Sequence, residues 1–355
     1  MKVINIIGAG PVGCYLAYLL SSHDFQVNVY EEHSEIGVPV QCTGIVTSKI
    51  NNILDLPKSL ILNEIKEYSI SSKINKLILK LKNPDLIMDR ELFDKFLFKK
   101  ALKNNVKFHF NHKLIEINNK LKFKSGNKII VKDKNILVGA DGPNSLVSKY
   151  LGNKNKYFMG IQVICSLKHD NNISINLSEG KFSWIVPFDK KKCRVGVMSE
   201  MKEGQKLFRK LVENRKVIEI QAGLIPIYNK KEIYQKNNVF IVGDAATLVK
   251  ATTGGGIIQG LISSQILADS LINNKKYGWQ LKKLKFELRL HLLIRKILDR
   301  FTENDFEKLI KILSKKKNKQ ILEVSVRDNL VKQIFLLFIR NPALFLYSRK
   351  LFFRK

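Results

Sequence analysis

"GAGPVG", residues 8–13, lies between the apolar run "KVINII" and a stretch with helical spacing, and this placement restricts the fold more than any other feature of the 355 residues. A G-x-G-x-x-G turn joining a strand to a helix is a dinucleotide-binding turn. Gly8 permits the tight turn, Gly10 lets a pyrophosphate approach the backbone, and Gly13 lets helix and strand pack. The helix N-terminus adds partial positive charge. "FQVNVYEE" then reads as the second strand of a βαβ unit, and Glu31 stands at its end, about twenty residues on, where a carboxylate accepts hydrogen bonds from the adenosine ribose hydroxyls. Glu32 is one step of strand register away from that place.

Composition bounds the class of protein. With 45% hydrophobic and 26% charged residues the chain is globular, and no apolar run reaches the roughly 18 residues of a membrane-spanning helix. The opening "MKVINII" mimics a signal peptide, but the glycine turn interrupts it and no small-residue cleavage site follows. Cys14, Cys42, Cys165 and Cys193 include no Cys-x-x-Cys pair and no histidine at metal spacing. They suggest neither a metal site nor a disulfide framework, and a reducing cytoplasm is expected. The formal net charge of +31 would suit nucleic acid, anionic lipid or an acidic partner. Residues 1–270 carry no dense basic stripe with interleaved aromatics, so solvated lysines account for the charge there and no nucleic-acid partner is expected.

The expected fold class is α/β: a Rossmann-like nucleotide domain interleaved with a mixed β-sheet substrate domain, plus a helical C-terminal extension. The nucleotide domain is expected in three pieces, 1–70, 90–154 and 236–270. "LIMDRELFDKFLFKKALKNN" has helical spacing, and short alternating segments from Val106 to Val131 suggest a meander. "NILVGADG" and "NVFIVGDAA" read as further buried strands ending in Gly and Asp. Strands at 71–89 and over 155–235 form the second layer. From 271 to 355 the chain becomes lysine-rich and helical, with 22 basic and seven acidic residues, a net +15.

Beyond the first turn, "GADGPNSLVSKYLG" (139–152) and "VFIVGDAATLVKATTGGGIIQG" (239–260) resemble the second and third FAD fingerprints of the aromatic hydroxylase-like flavoproteins. The resemblance spans residues 1 to about 270 and implies FAD as the cofactor. It implies that Asp244 meets the ribityl or pyrophosphate region, and that Gly254, Gly255 and Gly256 approach the isoalloxazine. Backbone N–H groups at a helix start would stabilise negative charge on a reduced flavin. Asp141 serves either the nucleotide or packing, and Arg90 either faces FAD, as the family places an arginine, or forms a surface salt bridge.

Within that group, "IGVPVQCTGIV" is similar to the Pro-x-x-Cys-x-Gly segment of the geranylgeranyl reductases, which saturate prenyl chains of archaeal lipids. "FSWIVPFDKKKCRVGV" (182–197) resembles that family's Tyr-x-Trp-x-Phe-Pro signature, with Phe182 in place of Tyr and Val186 in place of Phe. Phe182, Trp184 and Val186 alternate along one strand face, either walling a hydrocarbon or packing a core, and Pro187 closes the signature. The implied reaction constrains the site, because an isolated trisubstituted alkene has no carbonyl to accept charge from a hydride. A proton source is required, and an apolar surround would keep water from the cationic carbon. Cys42 is the candidate, donating or relaying the proton or orienting the alkene; its blander role is that of a small buried hydrophobe. The other three cysteines read as core filler.

The substrate expected from the resemblance is a prenylated lipid, and the electron donor is not identifiable, since no second nucleotide motif or iron–sulfur cysteine set is visible. The tail "LVKQIFLLFIRNPALFLYSRKLFFRK" interleaves aromatics and leucines with Arg and Lys, and Asn341-Pro342 should break its helix. It suits either an anionic membrane surface, giving a cytoplasmic protein peripheral on the inner face of the cell membrane, or packing on the protein's own core. Two other functions compete. A flavin monooxygenase or halogenase shares the fold and partly shares "FSWIVP", and a flavin-bearing binding protein would need no turnover.

Overall fold

A computed structural model describes residues 2–178, 181–324 and 330–351, so the last four residues of the basic tail lie outside it. The chain divides into two units. The first takes residues up to 40, 90–157 and 225–288, and the second takes 41–89, 158–224 and 289 onward.

The first unit is built on a six-stranded sheet. Its order is Gln235–Lys236, Val239–Ile241, Ile136–Gly139, Lys2–Ile7, Phe25–Tyr30 and Lys107–His109. All neighbours are parallel except the short Gln235–Lys236 edge. Lys2–Ile7 sits mid-sheet, with Ile4 and Ile6 fully buried, as a near-continuous apolar run requires when both faces are covered. Pro11–Ser21 follows as a helix with Pro at its first turn and Gly10 as N-cap, and it buries Cys14, Leu16, Ala17 and Leu20. The helix Arg90–Leu102 buries Phe93, Leu97 and Ala101, whereas Leu92 and Leu102 are exposed. The alternating residues after it split: Lys107–His109 joins the parallel sheet, and Lys113–Ile117, Lys120–Ser125 and Lys128–Asp133 form the meander.

The second unit carries an eight-stranded mixed sheet. Its order is Val217–Pro226, Tyr157–Ser166, Lys192–Ser199, Lys181–Pro187, Ile173–Ser178, Ile61–Ser71, Lys76–Met88 and Ile45–Val46. Ile61–Ser71, expected in the nucleotide domain up to residue 70, is a strand of this sheet. It pairs antiparallel with Lys76–Met88, and its period-2 pattern buries Ile65. One face of the sheet is covered by the helix Met201–Val212, whose Phe208 clusters with Val163, Cys165, Cys193, Val195 and Val197. That helix was not expected from the sequence.

The C-terminal region is helical over Glu303–Leu313, Lys316–Val324 and Leu330–Arg340, and Asn341-Pro342 ends the last of these before a 3-10 segment, Pro342–Leu351. Glu303–Leu313 begins with a capping box in which Thr302 and Asp305 satisfy each other's backbone N–H. Its Ile310 is buried in one cluster with Ile65, Leu77, Ile87, Ile173 and Val186. This part of the tail therefore packs on the protein's own core. Ile310→Ala should cost about 2–5 kcal/mol by leaving a cavity under the sheet. Urea unfolding will read that as a lower midpoint with an unchanged slope.

Candidate functional site

Three motif segments leave the first unit's sheet at the same, carboxyl, end of adjacent parallel strands, where open α/β sheets bind ligands. Gly8 follows Ile7, Asp141 lies two residues past Gly139, and Gly243-Asp244 follows Ile241 and Val242. Gly8 adopts φ +98, and a Cβ there would collide with the Ala140 carbonyl. A Cβ on Gly13 would collide with the Gly8 carbonyl, so turn and helix close on each other only because both lack side chains. Gly10 has nothing within 4 Å of the place its Cβ would take, which leaves the helix N-terminus open to a phosphate.

Glu31 closes this turn. Its Oε2 accepts from the Ala9 N–H at 2.7 Å and its Oε1 from the His33 N–H at 3.0 Å. Its carboxylate is thus aimed at the glycine loop, while Glu32 points outward to Lys113 Nζ at 2.8 Å. Asp141 accepts from the Leu146 N–H at 2.8 Å through Oδ2, and burial raises its carboxyl above the usual carboxylate range. Its contacts within the protein are those of a residue holding the turn before helix Leu146–Tyr150.

The third segment forms a second helix start. Gly254 is left-handed at φ +69, its N–H donates to the Lys250 carbonyl at 2.8 Å, and the Lys250 N–H donates to the Gly255 carbonyl at 3.1 Å. Gly255 is exposed, and Gly256 caps the helix Ile257–Ile272. A Cβ on Gly256 would sit 2.8 Å from Asp244 Oδ1, so this glycine makes room for that carboxylate. Burial pushes the Asp244 carboxyl up to about 6, with the nearby Arg90 guanidinium opposing the rise. Arg90 itself holds Asp94 through Nε and Nη2 at 3.1–3.2 Å, and both side chains are largely buried. The ion pair that the sequence allowed at the surface is an interior one.

The second unit draws together the two segments singled out for substrate chemistry. Gln162, almost fully buried, accepts at Oε1 from Trp184 Nε1 and from Thr43 Oγ1, each at 3.2 Å. Its amide donates to Gln221 Oε1 at 2.7 Å. Arg194 Nη1 donates to the Thr43 carbonyl at 2.7 Å, with its guanidinium 4.7 Å from the Phe188 ring centre. The Gln41–Gly44 loop is therefore pinned on both sides of Thr43. Cys42, half-buried, accepts from the Gly44 N–H through Sγ at 3.4 Å. Trp184 lies over Gly196, where a Cβ would come 2.5 Å from its ring, and Phe182 packs beside it at 5.8 Å between ring centres.

Not all of the predicted wall shares one environment. Val186 is fully buried in the Ile65–Ile310 cluster, half-buried Trp184 packs against that same cluster, and Phe182 is half-buried beside Trp184. Pro187 pairs with Cys193, and strand alternation puts it on the face opposite Trp184. Cys14, Cys165 and Cys193 are buried in their cores. Sequence reasoning missed Gln162, Thr43, Gln221 and Arg194. The available cue was Gln162 itself, a polar residue inside the apolar run "MGIQVIC", because buried polar groups need partners.

Comparison with known proteins fits this geometry. Residues 6–55 match the family model of the NAD(P)-binding Rossmann-like domain. An uncharacterized protein of Methanocaldococcus jannaschii is 30% identical, with 88% of each chain covered. The digeranylgeranylglycerophospholipid reductase of the same organism is 25% identical over 87% of this chain and 90% of its own. Among solved structures, a geranylgeranyl bacteriochlorophyll reductase-like protein from Thermoplasma acidophilum superposes with a TM-score of 0.81 at 20% identity, covering 96% of this chain and 97% of that one. A flavin-dependent brominase shares the fold at a TM-score of 0.72 and 14% identity, covering 98% and 99%. FAD is the cofactor, and the open N-cap at Gly10, the carboxylate of Glu31 and the glycine-lined helix start at 254–256 are the parts suited to hold it. With its nucleotide turn, its fold and its relatives in agreement, the chain belongs to the geranylgeranyl reductase family.

Proposed function

We propose that this flavin oxidoreductase saturates C=C bonds of geranylgeranyl chains in archaeal-type membrane ether lipids. The observation that carries the reading is the convergence on Gln162: the loop bearing Cys42 and the strand bearing Trp184, more than a hundred residues apart in sequence, are held by one buried amide. A site that must present both a thiol and an aromatic wall to one prenyl chain needs this kind of fixed pairing. FAD, when bound and reduced, supplies the hydride. The protein's part is to bind the chain, exclude water and provide a proton, and in this reading Cys42 Sγ holds or relays that proton while Phe182 and Trp184 line the hydrocarbon. The electron donor to FAD is a separate partner.

A second reading, a flavin-dependent halogenase or monooxygenase, draws support from the brominase fold and the partial likeness of "FSWIVP". An anaerobic assay separates the two. Purified protein, chemically reduced and given geranylgeranyl lipid, should yield products heavier by about two mass units per saturated bond, one two-electron turnover each. No gain in mass there, together with oxygen consumption coupled to substrate oxidation in a parallel aerobic assay, would instead establish the second reading. Cys42→Ala should keep its FAD and lose most turnover, and full activity in that variant would assign Cys42 to packing.

Gln162→Leu tests the pinning. It strands the Trp184 indole N–H and the Thr43 hydroxyl, so FAD content should be unchanged while turnover drops at least tenfold, on the order of one lost buried hydrogen bond. Asp244 gives a pH-dependent test. A carboxyl raised from 3.8 to about 6 in the folded state carries no penalty at low pH, where folded and unfolded forms are both protonated. The penalty grows as pH rises and is complete above about 6, at no more than about 3 kcal/mol. Asp244→Asn apoprotein should accordingly melt higher than the parent at pH 7 and equally at pH 3.5, and it should retain less FAD. A gain independent of pH would show that burial of the charge is not the cause.

A further inference from the structure

The C-terminal segment turns two different faces to its surroundings. Leu337 and Leu344 are buried with Ile321 in a small cluster, with Leu336, Phe338 and Tyr347 packed against it. On the other side, Val331, Phe335 and Ile339 follow one another at helical spacing and are exposed, Phe335 and Ile339 to 63% and 61%. Phe345 and Leu346 of the 3-10 segment are exposed too, and Phe345 stacks on Phe338 at 4.2 Å. The tail is thus anchored by one side and presents a second apolar side that nothing among the described residues covers.

The segment that bears this face carries charge of one sign. From residue 330 to 355 the sequence has six basic residues and no acidic one. Lys332, Arg340 and Arg349 are exposed. The run Lys315–Lys317 is fixed to the same end of the helix, because Asn318 and Asn341 exchange side-chain amide hydrogen bonds at 2.8 and 3.2 Å, and Arg340 Nη1 donates to the Lys317 carbonyl at 2.6 Å. Lys315, Lys316 and Lys317 are themselves exposed. An apolar strip with aromatics and a basic collar complements a bilayer surface bearing anionic headgroups, into which such a strip sinks while the cations stay at the phosphates. A second protein copy would bring the same positive collar against this one, which charge repulsion opposes.

We propose that the face formed by Val331, Phe335, Ile339, Phe345 and Leu346 docks on an anionic lipid bilayer. The inference does not depend on the reductase reading, and its test measures binding without turnover. FAD-loaded full-length protein is sedimented with vesicles of phosphatidylcholine alone or with about a third phosphatidylglycerol. It should pellet with the anionic vesicles only, and less as salt rises. Phe335→Ser combined with Phe345→Ser should abolish pelleting, and Phe286→Ser, at an exposed aromatic on another helix, should not. Lys315→Gln, Lys316→Gln and Lys317→Gln together should weaken binding on the order of 100-fold, from about fivefold per basic residue. Flavin content and melting temperature of each variant establish that it folds. Equal pelleting on neutral vesicles, undiminished pelleting of the double serine variant, or a concentration-dependent dimer that this variant dissolves would overturn the proposal.

Discussion

The nucleotide-binding unit depends on the packing of one side chain, Val12. It stands inside the glycine motif, in the first turn of the helix, and two glycines far away in sequence close over it: a Cβ on Gly243 would lie 3.0 Å from its methyls and one on Gly260 only 2.5 Å. The helix Ile257–Ile272 is thereby brought against the helix Pro11–Ser21, and Ser264 Oγ donates to the Val12 carbonyl at 3.1 Å. Because this contact lies near the beginning of both helices, their N-termini open close together at the carboxyl end of the sheet. Two positive helix ends in one place favour an anionic group, and the unit supplies them without a single lysine or arginine in either glycine turn, 8–13 or 254–256. Gly243 and Gly260 thus shape this helix pair through packing, whereas Gly10 and Gly255 leave backbone open.

Those glycine roles explain which parts of the protein were legible in its sequence. A strand, a turn of fixed spacing and a helix form one local pattern, and its geometry follows from residues within thirty positions of each other. The other two motif segments were legible for the same reason. Their meeting on Val12 was not, because nothing in "GDAATLVK" or "GGGIIQG" records which distant side chain fills the missing Cβ positions. The boundary near residue 70 was misjudged on different grounds. "ILNEIKEYSIS" alternates as a strand in either unit would, and only its pairing with Lys76–Met88 decides which sheet it joins. Strand alternation was read correctly for Phe182 and Trp184, but the same rule sends Pro187 to the other face, so the linear signature spans two environments.

Gln162 shows a further limit. In an apolar strand it looks like a flaw, and its meaning is carried by partners 22, 59 and 119 positions away. A buried amide with one donor or acceptor unsatisfied costs more than an apolar replacement, so such a residue persists where its partners are all present. Here the acceptor oxygen serves both Trp184 and Thr43, and the amide nitrogen serves Gln221, which in turn donates to Glu219 at 2.8 Å. The network gives direction where hydrophobic packing cannot. A tryptophan packed only by apolar contacts can slide or rotate, while one whose indole N–H donates to the same oxygen as a loop threonine's hydroxyl keeps loop and ring in register.

Charge is handled in the opposite way at Asp244. Gln162 is neutral and paired at both its oxygen and its nitrogen, so its burial adds order at small cost, but Asp244 keeps a carboxylate where burial raises it to about 6 and only the field of Arg90 opposes that rise. Arg90 is committed by hydrogen bonds to Asp94, so the countercharge for Asp244 is shared and incomplete. A protein selected for stability alone would place an asparagine or an apolar residue there. Retaining an acid beside Gly256, at a helix start, makes sense if the group earns its place with a ligand that donates hydrogen bonds to it, as sugar-alcohol hydroxyls do. Binding would then relieve a strain that the empty protein carries, so the cofactor's affinity and the fold's stability become linked through one carboxyl group.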